Sequence, residues 1–354
     1  MPRRILLLIT DLQIGGTPTV VRELALRLAR EDEVHVHVAC LDRWGPVADQ
    51  LRDRGIAVTA LAACCRMDVT AIFRLVRLIH REQIDTVFSF LIHANTAAAL
   101  ASIACPQVRF FQSIQTTQPR PSWHWALQNI VQHAAERIVV PSPSVAEAAH
   151  KWADVQDEKI VVIPNAVEIG EFSIPRSGVA GKRVGFIGRL DPIKRIDDLI
   201  AAVSLLKEDV TLDIYGEGSQ RSQIELMVQR LDLGRRVTLH GAVTGAVDAL
   251  AGIAVLVLPS DAEGFGLVLI EAMAAGVPVI GTNVPGIRDV IVDGENGILT
   301  PPRNPRALAD AIERVLSDVT LRNTLVAGGT ASVRDRFAWP SVYKQYQTLL
   351  LNHT

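Results

Sequence analysis

Strand-length apolar runs alternate with stretches of helical spacing along this chain, and the alternation runs through twice. Strand–helix–strand order of that kind closes as a parallel sheet with helices on both faces, because parallel neighbours need a crossover connection. Residues 5–9, 34–39, 57–61, 86–90, 108–112 and 137–140 read as strands. Between them, 19–30 is helical through Val20, Val21, Leu24 and Leu28, and 46–54 is a short helix. Residues 69–81 are amphipathic, with Ile72, Leu75, Val76 and Ile79 on one face, and 95–103 form an alanine-rich helix. The second half restarts the rhythm with strands at 183–187, 211–215, 237–239, 254–258 and 278–281 and helices at 196–207, 219–231 and 266–275. The expected fold class is α/β, with two doubly wound parallel-sheet domains over residues 1–170 and 171–338. The stretch 173–182, with Pro175, Ser177, Gly178 and Gly181, reads as the linker. Two such domains facing each other make a cleft, and ligands of open parallel sheets bind outside the carboxyl ends of the strands.

Composition removes several function classes. The 354 residues are 49% hydrophobic and 21% charged, so a large core is feasible and disorder is excluded. The formal net charge of −2 argues against a chain whose main task is gripping a polyanion such as nucleic acid. The four cysteines, Cys40, Cys64, Cys65 and Cys105, show no ligand spacing for zinc. They read as thiols of a reducing compartment, although adjacent Cys64 and Cys65 could form a vicinal disulfide. The run 5–9 stops at Thr10-Asp11, too short for a signal sequence, and no segment reaches the roughly 18 apolar residues of a membrane span. A cytoplasmic protein is expected.

The strongest chemical signal is Glu263-Gly264-Phe265-Gly266-Leu267 followed by Glu271. A strand delivers the chain to a glycine-rich loop, and a helix starts at once. Free N–H groups at the helix start attract anions, and glycines admit a ligand close to the backbone. Glu271 lies about 7.5 Å further along the helix axis, so the two carboxylates can accept hydrogen bonds from two parts of one elongated ligand. The alternative, two solvated glutamates, fits Glu271 poorly because its helix is otherwise apolar. The second signal is Gly188-Arg189-Leu190-Asp191-Pro192-Ile193-Lys194 after the strand 183–187. A guanidinium fork and an ammonium together suit a pyrophosphate. Lys194 is placed at a helix start, and Arg195 reads as a solvated neighbour.

In the first half, Gly15 and Gly16 follow the first strand, where backbone amides can meet a phosphate; a plain tight turn explains them equally well. Neither GxGxxG nor GxxxxGK[ST] occurs, so a dinucleotide fingerprint and a P-loop are both absent. His93 follows the strand 86–90 at its carboxyl edge, while His124, His133, His150 and His240 have no comparable context. Trp123 and Trp125 are expected in a loop, lining an acceptor groove or packing that loop.

At these residues the sequence resembles glycosyltransferase family 4 (glycosyl transferases group 1), a retaining group with the GT-B fold. The resemblance spans nearly the whole chain. It includes the Gly-Gly loop, His93, Ile163-Pro164-Asn165, Phe186 to Leu190 with Lys194, Gly216-Glu217-Gly218, Leu239-His240-Gly241, the Glu263/Glu271 spacing, and Phe337 to Pro340. It implies that Glu263 holds donor-sugar hydroxyls and Glu271 the ribose. Arg189 and Lys194 would neutralise the pyrophosphate with amides of Gly16, Phe265, Gly266 and Leu267, and His93 would act at the transferred sugar. The loop 239–243 would lie beside the base, and residues 339–354 would form a helix crossing back to the first domain. Two departures stand out: Ala166 and Glu168 replace the usual glycine and aspartate after Pro-Asn, and the Gly-Gly loop continues as Thr-Pro-Thr.

The implied reaction is metal-independent hexosyl transfer with retention, from a nucleotide sugar (UDP-sugar before GDP-mannose) to a glycan, lipid-linked or small-molecule acceptor, with no resident cofactor. A sugar-nucleotide epimerase and a non-catalytic sugar-nucleotide-binding protein are the rival readings. Residues 66–81 carry Arg66, Arg74, Arg77, His80 and Arg81 beside the apolar stripe. That pattern suits peripheral contact with the inner face of a membrane, and an ordinary solvated helix face accounts for it as well.

Overall fold

In a computed structural model of the protein, residues 2–42, 44–63, 68–173, 181–243 and 245–352 are described. The expected linker and the adjacent Cys64 and Cys65, with Arg66, lie largely or wholly outside them. The chain divides into two compact units. The first runs to Pro164 and takes in the chain from Val342 onward, and the second is Asn165–Ser341.

The first unit is built on seven parallel strands: β1 (Arg3–Ile9), β2 (Val34–Cys40), β3 (Ala57–Ala60), β4 (Thr86–Phe90), β5 (Arg109–Ser113), β6 (Arg137–Val140) and β7 (Ile160–Val162). Their order is β3-β2-β1-β4-β5-β6-β7. Strand β1 explains why its sequence is a continuous apolar run rather than an alternating one. It sits mid-sheet with helices on both faces, and every side chain from Ile5 to Ile9 is fully buried. Each such side chain contributes roughly 1.5–3 kcal/mol. The closing helix Trp339–Leu351 supplies Tyr346 to this unit, its ring 6.1 Å from that of Phe88. Gln347 donates to Glu31 at 2.8 Å.

The second unit holds six parallel strands: β8 (Lys182–Ile187), β9 (Val210–Tyr215), β10 (Val237–Gly241), β11 (Val255–Leu258), β12 (Val279–Thr282) and β13 (Ile298–Thr300), in the order β10-β9-β8-β11-β12-β13. One contiguous apolar core runs through it. In each sheet the strand order reverses once, between β1 and β4 and between β8 and β11. Helices leave the two strands at such a point toward opposite faces, which opens a crevice at their carboxyl ends. The loops after β8 and β11 carry the two strongest sequence signals.

Several helices lie beyond those expected from spacing. Pro143–Ala153 and Pro305–Ser317 start with proline after a capping side chain, Ser142 accepting from the Val145 N–H and Asn304 from the Ala307 N–H. Trp123 and Trp125, expected in a loop, lie in the helix Ser122–Val131. Trp125 is buried there and donates its indole N–H to the Gln118 carbonyl at 2.8 Å, so it packs rather than lines a groove.

Candidate active site

In the second unit the two loops at the switch point are tied together by the side chains the sequence singled out. The Lys194 ammonium donates to Glu263 Oε1, and the Ser260 hydroxyl donates to the same oxygen at 2.7 Å. Both members of the ion pair are largely buried. A backbone bond from the Asp261 N–H to the Ile193 carbonyl, 2.8 Å long, runs parallel to it. Thr282, at the end of β12, donates to the Ser260 carbonyl and fixes the loop from below.

Lys194 does not sit at an α-helix start. It ends a single 3-10 turn, Pro192–Lys194, and Arg195 in the left-handed region (φ 51°) precedes the helix Ile196–Ser204. Pro192 presets the turn. The α-helix thus starts two residues after Lys194 rather than on it. Arg195, read as a solvated neighbour, instead makes a two-pronged ion pair with Asp198 (2.9 Å for each bond) and lies 4.0 Å from Asp261. Arg303 clamps Asp261 from the other side at 2.8 Å. Arg189 stands apart: its side chain is 69% exposed and pairs with Asp191 at 3.1 Å. It is the exposed cation of this unit's loops, and Lys194 is the buried one.

Glycines shape both loops. A Cβ on Gly286, at φ +86°, would stand 2.2 Å from the Glu263 carbonyl oxygen. A Cβ on Gly216, at φ +148°, would stand 1.8 Å from the Gly188 carbonyl oxygen. The segment Gly216-Glu217-Gly218 thus hugs the Arg189 loop, and the Leu190 N–H donates to the Glu217 carbonyl at 2.8 Å. Beyond the loop, Leu267–Ala274 is helical from its Gly266 N-cap and presents unpaired N–H groups there. Phe265 is buried against Phe337, with the rings edge-to-face 5.5 Å apart, which holds Gly264 and Gly266 in place. Glu271 is half-buried on the same helix.

A further pair was not legible from spacing. Tyr215 and His240 end neighbouring strands β9 and β10, and their rings stack 4.4 Å apart at 10°. His240 Nε2 lies 2.7 Å from Asp213 Oδ1, and Arg183 holds the other carboxylate oxygen at 3.2 Å. Burial, then the charge of Asp213, pushes the Tyr215 hydroxyl above its ordinary pKa. A bulge between Leu239 and Gly241 turns the His240 ring toward Tyr215, and strand alternation alone does not foretell a bulge.

In the first unit the switch point lies between β1 and β4. The helix Gly16–Leu28 starts on Gly16, with Gly15 as its N-cap in extended backbone (φ 173°), and Thr19 donates to the Gly15 carbonyl at 2.9 Å. The Thr-Pro-Thr continuation thus forms the first turn, where Pro18 costs no intrahelical bond. A Cβ at Gly15 would meet Pro18 at an ordinary 3.6 Å. His93 sits within the helix Ile92–Ala104, which begins directly after β4 and three residues before the expected start. Leu91 precedes it in the left-handed region at φ 72°. His124, without context in the sequence, comes 5.6 Å from His93 ring to ring, and Trp123 comes 6.0 Å. Beneath them runs a fully buried polar chain. Ser89 donates to Asn95 Oδ1 (2.8 Å), Asn95 donates to the Ser113 carbonyl (3.1 Å) and to Gln128 Oε1 (3.0 Å), and Gln128 donates to Gln112 (2.8 Å). That chain locks the helix that carries His93. Among the described residues, no cluster of three His, Cys, Asp or Glu side chains could hold a metal ion.

The chain is similar to known proteins. The family described as Glycosyltransferase Family 4 matches residues 14–171, and the one described as Glycosyl transferases group 1 matches residues 172–331. An N-acetyl-alpha-D-glucosaminyl L-malate synthase of Bacillus anthracis is 33% identical over 363 residues, covering 95% of this chain and 93% of that one. The chain belongs to glycosyltransferase family 4. An uncharacterised glycosyltransferase of Methanocaldococcus jannaschii is 31% identical over 239 residues, or 62% of this chain. The family-4 chain described here spans 61% of that relative's length, and between 56% and 58% of two further curated relatives. Among solved structures, HepE of Anabaena in complex with UDP and glucose superposes with a TM-score of 0.89 at 21% identity, covering 99% of each chain. The fold is GT-B.

Proposed function

We propose that this family-4 protein is a retaining, metal-independent hexosyltransferase that takes its sugar from a UDP-sugar and delivers it to a glycan, a lipid-linked or a small-molecule acceptor. The observation that carries the proposal is the Lys194–Glu263 pair, which joins the loops after β8 and β11 at the switch point beside the start of the helix Leu267–Ala274. Cleaving a nucleotide–sugar bond leaves negative charge on a diphosphate and builds positive charge at the anomeric carbon. Groups aimed at that developing charge accelerate the step. In the proposal the diphosphate takes the Arg189 fork, the Lys194 ammonium and the free N–H groups at the helix start. The Gly16 amide adds to them. Glu263 then accepts from sugar hydroxyls and Glu271 from the ribose. His93, fixed by its helix and by the buried Asn95 chain, serves the transferred sugar. The acceptor attacks on the face the phosphate leaves, which keeps the anomeric configuration.

The uracil preference draws support from the ligand in the HepE complex, UDP with glucose, and from the stacked Tyr215 and His240 at the strand ends. The test is a steady-state panel of UDP- and GDP-sugars with and without EDTA, reading nucleotide release and the anomeric configuration of the product. The proposal expects turnover on a UDP-sugar that EDTA leaves intact. It expects the Arg189→Ala/Lys194→Ala variant to lose on the order of 10²-fold or more, in line with the loss of transition-state donors elsewhere. Turnover of that variant near the parent rate, or an inverted product, overturns it.

A further inference from the structure

The helices that follow β4 and β5 start side by side. In a parallel sheet each crossover helix begins at the carboxyl edge of its strand, and these two strands are neighbours. Helix Ile92–Ala104 brings His93 to that edge, and helix Ser122–Val131 brings Trp123 and His124. The Trp123 indole lies edge-to-face against His124, ring centres 4.0 Å apart at 73°, and against His93 at 6.0 Å and 71°. Trp123 is nevertheless 46% exposed. It is not a fraying helix end, because Trp125 in the same turn is buried and bonded to the Gln118 carbonyl.

The three rings are also fixed from beneath. Asn95 comes two residues after His93, and Gln128 four residues after His124, on the same face of its helix. The Asn95 amide donates to Gln128 Oε1 at 3.0 Å, and Ser89 and Gln112 extend the chain on either side. All four side chains are buried, and a satisfied buried network of this kind rigidifies what it joins. The two helices, and with them His93, Trp123 and His124, are thus set at a fixed spacing. An indole already held in place adds little ordering cost when a ligand covers it.

The surroundings of the indole are polar. The loop from β5 to the helix supplies Gln115, Thr116 and Gln118, all half-buried, and Arg120, exposed. One apolar face inside a polar rim matches a pyranose ring, which has an apolar C–H face and a rim of hydroxyls. A lipid tail would call for a continuous apolar trough instead. We propose that Trp123 is a specificity-determining residue for the acceptor: its indole stacks on a pyranose ring, so that the acceptor is a saccharide presented beside His93. The inference rests on the glycosyl-transfer reading above and narrows its acceptor to one class. Sugar C–H bonds, polarised by the oxygens they flank, meet the negative face of the indole, and the ring hydroxyls meet the side chains of the 115–118 loop. In that reading the donor is gripped by the second unit, so the sugar over Trp123 is the acceptor's own.

The experiment is saturation-transfer NMR on the full chain, after UDP binding has been measured and with UDP kept at saturation. The probes are methyl β-D-glucopyranoside, methyl β-D-galactopyranoside and methyl N-acetyl-β-D-glucosaminide. L-malate and glycerol 3-phosphate serve as acyclic anions, which Arg120 would select if charge rather than stacking chose the acceptor. The inference expects at least one glycoside to receive transfer, strongest on the C–H protons of one ring face. Trp123→Ala should weaken that binding about tenfold, while Trp123→Phe, which keeps an aromatic face, should retain most of it. Melting temperature and UDP affinity of both variants should match the parent, which separates a lost stacking face from lost folding. A parent that binds UDP but none of the glycosides overturns the inference, as does a Trp123→Ala variant that binds a glycoside like the parent. So does tighter binding of either acyclic anion than of every glycoside. A parent that binds no UDP overturns the earlier reading and this one with it, a result seen before any saccharide is added.

Discussion

Glu263 is held by two donors, the Lys194 ammonium and the Ser260 hydroxyl, on one of its two carboxylate oxygens. A side chain so fixed needs little reorganisation when charge develops beside it, which is how prepositioned groups gain their effect. The same coupling sets a prediction. Lys194→Ala and Glu263→Gln should each lower turnover by on the order of 10²-fold. The double variant should fall well short of the product of the two losses, because each single change already strips the other residue of its partner. Initial-rate measurements on the three variants check this. Gly286 carries a second prediction. Alanine there must place its Cβ where the Glu263 carbonyl lies and adopt φ near +86°. Gly286→Ala should therefore lower stability by about 1–3 kcal/mol, seen in urea melts, and depress turnover although the residue bears no functional group. At this scale the sequence was highly legible where chemistry follows from residue type. Arg189, Lys194, Glu263 and Glu271 fall on the loops or helix flanking one switch point. What it concealed depends on backbone detail. Tyr215 and His240 meet because of a bulge, and Gly216 and Gly286 matter because of what approaches them.

Among the elements, strands were legible wherever an apolar run was bounded by turn residues, and β6 and the amphipathic helix Val69–Arg81 fall on the residues their pattern indicates. Helix starts were less so. The helix Ile92–Ala104 begins on a strained Leu91 rather than on a capping side chain, so no residue announced it. By contrast Ser142-Pro143 and Asn304-Pro305 are cap signals present in the sequence. The helix Ser122–Val131 follows two prolines within three residues, Pro119 and Pro121, and proline density reads as loop when taken alone. One ion pair ties neighbouring strands of the first unit. Arg109, the first residue of β5, grips Glu136, just ahead of β6, with two bonds of 2.9 Å. The hydrogen bond from Arg109 holds the Glu136 carboxyl below its ordinary value, against a smaller opposing effect of burial. A depressed carboxylate contributes stability above its unfolded pKa, and that contribution is lost as the pH falls through the folded value. Glu136→Gln should thus melt below the parent at neutral pH, and the gap should narrow as the pH drops below about 4.5. A gap that stays constant down to strongly acidic pH contradicts the pairing.

On the scale of the whole molecule, two sheets of different strand number and unrelated core residues follow one plan. Each is parallel throughout, each reverses its order once, and each has a glycine-bearing loop and a helix start at that reversal. The division of labour follows from the residues. The second unit holds the paired acids and the cations, and the first holds His93 with its aromatic neighbours. The closing helix joins the first unit by burying Tyr346 and Leu350, a membership that helical spacing alone does not show. The central claim is that the second unit grips a nucleotide diphosphate through Arg189 and Lys194. Its most direct test is calorimetric titration of UDP into the parent protein and into Arg189→Ala/Lys194→Ala. The account predicts saturable one-site binding by the parent and at least tenfold weaker binding by the variant. A variant that binds UDP as tightly as the parent, or a parent that binds neither UDP nor GDP, would contradict it.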